Sequence, residues 1–129
     1  MTPIRKVMLV DDEPDIRKLG EVSLRSVGKW QVVLCASGAE ALSSAPTELP
    51  DLILMDVMMP GLDGPATLSG LRANPATRAI PVVFMTATCD AATVSSLVAR
   101  GARGVIGKPF APMTLPSRLV ELLASTSES

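Results

Sequence analysis

The chain has 129 residues, enough for one compact domain and too few for two cores of ordinary size. Lys and Arg number 12 against 13 Asp and Glu, which argues against a nucleic-acid footprint, and no apolar run is long enough to insert in a membrane. Two cysteines without CxxC spacing exclude a disulfide framework or zinc site, the absence of His excludes imidazole chemistry, and a reducing cytoplasm is the expected location.

The first residues lead directly into a short apolar run, Ile4 to Val10, which reads as a buried strand and not as the core of a signal peptide. Pro14 to Val27 follows with Ile16, Leu19, Val22 (or Ser23) and Leu24 near one face, the spacing of a helix. Gln31 to Ala36 reads as a second strand, and Ala39 to Ser44 as a short helix, with Pro46 and Pro50 punctuating the loop after it. Leu52 to Met55 is a third strand, apolar throughout, as expected where helices cover both faces. Beyond a loop with Pro60, Gly61 and Gly64, a helix spans Pro65 to Ala73 and closes at Asn74 and Pro75. Pro81 to Met85 is the fourth strand. A helix from Ala91 to Arg100 ends at Gly101, a C-cap residue. Gly104 to Ile106 is a brief fifth strand and Met113 to Ala124 the last helix, with Thr114 capping it and Pro116 in its first turn. The core therefore spans residues 4–124 of one domain, and the polar tail Ser125 to Ser129 is expected to fray.

Strand and helix alternate five times, the pattern of an α/β fold with a parallel sheet and helices on both faces. In such sheets sites form beyond the carboxyl ends of the strands, where the winding reverses. For the order 2-1-3-4-5 that point lies between the first and third strands. Asp11 and Asp12 follow the first strand and Asp56 the third, so three carboxylates converge there. Like charges at close range need a cation or a shared proton, and an oxygen-rich site suits Mg²⁺. Thr86, ending the fourth strand, adds a hydroxyl, and Lys108, after the fifth, an ammonium. The set is one that handles phosphoryl groups.

Four stretches carry a family resemblance: Val7-Met8-Leu9-Val10-Asp11-Asp12-Glu13, Leu54-Met55-Asp56-Val57-Met58-Met59-Pro60-Gly61-Leu62-Asp63-Gly64, Pro81-Val82-Val83-Phe84-Met85-Thr86-Ala87 and Lys108-Pro109-Phe110. Together, in order and each at a strand end, they resemble bacterial two-component receiver domains of the stand-alone, chemotaxis-receiver kind. The resemblance runs from Val7 to about Leu123 and implies a flavodoxin-like, doubly wound five-stranded sheet. It implies that Asp56 is the phosphoacceptor, that Asp12 ligates Mg²⁺ directly and Asp11 through water, and that the backbone carbonyl of Met58 is a further ligand. Thr86 and Lys108 then each bind a phosphoryl oxygen, and Pro109 follows a cis peptide bond that aims Lys108. The donor implied is a phosphohistidine on a sensor histidine kinase or histidine phosphotransfer protein. With no output domain after the last helix of this sequence, the output is expected to go to a separate effector protein, unless the chain is one piece of a larger protein.

Each of these residues has a plainer reading beside it. Asp11 and Asp12 could cap the first helix, Glu13 reads as a helix-start charge, Asp63 as a turn residue, and Thr88 competes with Thr86 for the hydroxyl role. Cys89 reads as a small, partly buried thiol. Two departures from the family pattern matter. Val105 stands where the family usually carries an aromatic ring that turns inward on activation. Met58 and Thr88, which flank the acyl phosphate by resemblance, offer no carboxylate or amide to guide water, so a persistent phosphate is expected. The resemblance implies a signalling domain that assists its own phosphorylation and dephosphorylation, not an enzyme for external substrates. Aspartyl-phosphate hydrolases want a second Asp where Met58 stands, and a flavin carrier wants a phosphate-cradling loop after the first strand. The remaining competitor is a phosphorylation-independent interaction module on the same fold.

Overall fold

The computed structural model describes residues 3–126. Five parallel strands, β1 (Lys6–Val10), β2 (Gln31–Cys35), β3 (Leu52–Asp56), β4 (Val82–Thr86) and β5 (Gly104–Gly107), form one sheet in the order β2-β1-β3-β4-β5. The helices are α1 (Pro14–Val22), α2 (Gly38–Glu48), α3 (Gly64–Ala73), α4 (Ala91–Ala99) and α5 (Leu115–Thr126). This is the flavodoxin-like order expected from the alternation of elements.

Side chains alternate across a strand, so an unbroken apolar run feeds two cores at once. Val7 and Leu9 of β1, with Leu52 and Leu54 of β3, pack with Leu24, Leu115 and Leu119 on the side of α1 and α5. Met8 and Val10, with Ile53 and Met55, pack with Ala41, Ala45, Leu68, Leu71 and Leu97 on the side of α2, α3 and α4. Every residue of β3 and β4 is buried. Full burial of a large apolar side chain contributes roughly 1.5–3 kcal/mol, which anchors the strand ends that carry Asp56 and Thr86.

Three elements differ from the sequence reading. The first helix does not run evenly to Val27. It passes at Ser23 into a five-residue π-helical turn, Ser23–Val27, where Gly28 N–H reaches the Ser23 carbonyl at 3.1 Å. The second helix continues through Pro46 to Glu48. Pro46 has no N–H to give the Leu42 carbonyl, yet the fully buried Ala41 and Ala45 keep the helix on the sheet. It ends at Leu49, left-handed at φ 46, whose N–H bonds the Ala45 carbonyl at 2.8 Å. The last helix begins at Leu115. Thr114 sits just before it and its carbonyl accepts the Arg118 N–H at 3.0 Å, but its hydroxyl donates to the Ala111 carbonyl at 3.3 Å instead of capping. Ser125 and Thr126, expected in the frayed tail, belong to α5, and 127–129 lie outside the described residues. Gly101 closes α4 at φ 114, a conformation that favours glycine. Among the described residues no helix is long and apolar enough to cross a membrane.

Candidate functional site

The acids gather at the carboxyl ends of the strands. Asp56 is the last residue of β3, and Asp11 and Asp12 follow β1 directly. Because β1 and β3 are paired in register, Val10 against Met55, the three side chains face one hollow. One carboxylate oxygen from each lies within 4.8 Å of the others. Asp11 is fully buried and Asp56 nearly so.

Lys108 enters from the far side of the sheet. Its backbone N–H bonds the Thr86 carbonyl at 2.9 Å, and the peptide bond to Pro109 is cis, as the resemblance implies. Its ammonium stands 3.0 Å from Asp11 Oδ2 and 3.3 Å from Asp56 Oδ1. It also reaches Glu13 Oε1 at 3.4 Å. Thr86, buried at the end of β4, accepts the Thr88 N–H on its hydroxyl oxygen at 3.1 Å, which leaves its own O–H available to donate. Thr88 is exposed. A Cβ on Gly64 would stand 2.7 Å from the Asp56 carbonyl and 2.8 Å from the Phe84 ring. Only glycine lets α3 start this close beneath the site.

The electrostatics follow from burial. Asp56 is pushed above the ordinary carboxylate value by desolvation and by the Asp11 charge, which Lys108 and the Met58 backbone N–H only partly offset. Burial alone would lower Lys108, but its contacts with Asp11 and then Asp56 more than compensate, so its pKa lies above the usual lysine value. Asp11 Oδ1 accepts the Glu13 N–H at 2.9 Å. Its Oδ2 is buried and, although the ammonium is nearby, accepts no directed hydrogen bond. A buried carboxylate oxygen short of donors is what a cation would satisfy, and three hard oxygen donors suit Mg²⁺. The residues present therefore fit a divalent ion held by Asp11, Asp12 and Asp56.

Asp11, Asp12, Asp56 and Lys108 are thus brought together, and Thr86 ends the strand beside β3. The Met58 side chain is exposed, and its backbone N–H faces the Asp56 carboxylate. Neither Asp11 nor Asp12 caps α1, since Glu13 holds the N-cap position without a side-chain bond. Asp63 is more than a turn residue, for its carboxylate caps α3 through the Ala66 N–H at 2.9 Å. Two participants were not legible as such. Glu13 is a third carboxylate partner of Lys108, and Arg17 Nη1 donates to the Asp11 carbonyl at 2.7 Å, bracing the loop that carries the acids. The only available signal was their place in the first turn after the acid pair.

Comparison with known proteins agrees with this geometry. Residues 7–120 match the model of the response regulator receiver domain. A probable transcriptional regulator, ycf27, of Cyanophora paradoxa is 38% identical over 95% of this chain and 49% of its own length. The response regulator Rre1 of Synechocystis is 34% identical over 95% of this chain and 53% of its own. The chain spans about half the length of these curated relatives. The chemotaxis response regulator CheY4 of Vibrio cholerae superimposes with a TM-score of 0.85 at 31% identity, covering 93% of this chain and 99% of that one. A family model matching most of the sequence, together with the fold shared with a solved response regulator, leads to one conclusion: this chain belongs to the response regulator receiver domains of two-component signalling.

Proposed function

We propose that this receiver takes a phosphoryl group onto Asp56, from a phosphohistidine of a sensor histidine kinase or a histidine phosphotransfer protein. An Asp56 oxygen forms the new O–P bond as the P–N bond to the donor imidazole breaks, giving an acyl phosphate. The observation that carries this reading is the Asp56 carboxylate, buried at the end of β3 with Lys108 at 3.3 Å and two further acids within 4.8 Å. Asp11, Asp12 and Asp56, with the Met58 carbonyl, would hold Mg²⁺, which supplies positive charge against the phosphoryl oxygens. Lys108 neutralises a second oxygen from the side of β5, and the Thr86 hydroxyl donates to a third. Met58 stands two residues after Asp56, where hydrolases of external substrates carry a second Asp, which supports a switch that assists only its own phosphorylation and dephosphorylation. The new charge, about −1.5 to −2, then draws Thr86 and the loop before α4 toward the site. The altered surface regulates a separate effector protein in the cytoplasm.

Beryllofluoride, a phosphoryl mimic, tests this with Mg²⁺ present. Amide resonances around Asp56, Thr86 and Lys108 are expected to shift in the wild type and to stay fixed in Asp56→Asn. Unchanged spectra in both would favour the phosphorylation-independent interaction module.

A further inference from the structure

At the opposite pole, where β1 and β2 begin, an open hollow of about 510 Å³ is lined by Ile4, Arg5, Arg25, Lys29, Trp30 and Gln31. Three cations and one indole line it, and no acid does. Arg25 is held in place from two directions: Nε donates to Glu21 Oε2 at 3.1 Å and Nη2 to the Val32 carbonyl at 3.0 Å. Of the neighbouring acids, Asp51 Oδ2 takes only the backbone N–H groups of Arg5 and Lys6, and Glu48 pairs with Lys6. Among the described residues the side chains of Arg5 and Lys29 make no ion pair. Arg25 is thus paired with Glu21, and the Asp51 carboxylate lies near Arg5, but the three cations lining the hollow still outnumber these two acids.

The backbone here is irregular in two ways. The π-helical turn widens the end of α1 and supplies Arg25, and Lys29 adopts φ 63, the left-handed region. A side chain stays in that region only where its surroundings hold it. Bonds from Gly28 N–H to the Ser23 carbonyl and from Trp30 N–H to the Leu24 carbonyl, each 3.1 Å, do so. Gly28 lies directly against the indole, for a Cβ there would meet the ring at 3.0 Å, and the half-buried ring also packs on the core beneath α1 and α5. The result is a fixed aromatic ring beside fixed and free cations. π-Turns and strained residues of this kind concentrate at binding sites.

We propose that this hollow binds a small phosphate-bearing ligand with a planar ring, of the nucleoside monophosphate class. The phosphate lies against Arg5, Arg25 and Lys29, with charge-assisted hydrogen bonds, and the base packs on Trp30, as bases do on aromatic side chains. The site is separate from the acid cluster and shares no residue with it.

Trp30 is the only Trp and the chain has no Tyr, so its emission reports on this hollow alone. Titration of the full chain with AMP, followed by that emission and by calorimetry, is expected to saturate below about 1 mM, which is roughly −4 kcal/mol. Adenosine and inorganic phosphate should each bind at least about tenfold more weakly, since each lacks one of the two contacts. Lys29→Gly suits the left-handed backbone, so the variant should melt no lower than wild type while binding AMP about tenfold more weakly, and Arg5→Gln should weaken it similarly. Absence of saturation, equal affinity for either fragment, unchanged affinity in both variants, or preference for an acidic peptide over AMP would each overturn the proposal.

Discussion

The Lys108 ammonium stands within ion-pair distance of Asp11, Asp56 and Glu13, and Asp12 adds a further carboxylate to the same hollow. Negative charge therefore exceeds positive charge in a partly desolvated place, and Asp56 bears the consequence as a raised pKa. Where the folded pKa lies above the unfolded value, the ionised group destabilises the fold at neutral pH, and that penalty lessens as pH falls through the folded pKa toward the ordinary value. In chelator at neutral pH, Asp56→Asn should therefore melt above wild type, by roughly 3 °C if the relief is about 1 kcal/mol. The gap should narrow as the pH is lowered toward 4, the ordinary Asp range, and Mg²⁺ should raise the wild type more than the variant. Melting curves with and without metal check this. The cysteines differ as sharply. Burial pushes the Cys35 thiol up to about 11, with Glu40 adding to it, whereas Cys89 is exposed. A thiol reagent should accordingly titrate one cysteine in the native protein and both in denaturant. Met58 and Thr88 are exposed and offer no carboxylate or amide to orient a water, so an Asp56 phosphate formed in Mg²⁺ should outlast those of fast chemotaxis receivers; a decay within seconds would contradict this. Asp11, Asp12, Asp56, Thr86 and Lys108 were legible because each ends or follows a strand, where parallel sheets converge. Glu13 and Arg17 were not, because a polar residue in a helix's first turn reads as a solvated charge until its partner across the fold is known.

The strands were readable from their apolar runs, and the alternation of their side chains between two cores accounts for helices on both faces of the sheet. Helix ends were less so. Pro46 and Pro50 mark a loop by local propensity, but packing of Ala41 and Ala45 outweighs one missing hydrogen bond and carries α2 on to Glu48. Propensity is a weak prior where a buried face opposes it. Pro46→Ala should then restore the bond to the Leu42 carbonyl and stabilise the domain by about 1–3 kcal/mol in urea unfolding. A loss of stability would mean that the proline fits a bend the helix needs. The π-helical turn had no sequence signal, since Ser23 and Leu24 are both buried and continue the apolar face of a helix of ordinary pitch.

For the molecule as a whole, a switch needs a site that changes charge and an element held lightly enough to respond. The site sits on the two strands that are buried at every residue. α4 buries only Leu97 and leaves Val98 exposed, and lightly anchored elements are those that move. Between them stands Val105, half-buried on the α4 side of β5, with no ring to turn. Of the two Phe, Phe84 is enclosed in the core and Phe110 is buried beyond β5. β5 therefore offers no ring for an aromatic relay between the site and α4. The curated relatives run to about twice this length, so the same domain works there beside other segments. All of this presumes that Asp56 takes the phosphoryl group. Intact-mass measurement after incubation with a phosphorylated histidine phosphotransfer protein and Mg²⁺ tests that directly. We expect a single, hydroxylamine-labile phosphoryl group on the wild type and none on Asp56→Asn or in chelator. Undiminished incorporation in Asp56→Asn, or none in the wild type with any phosphohistidine donor, would contradict the account.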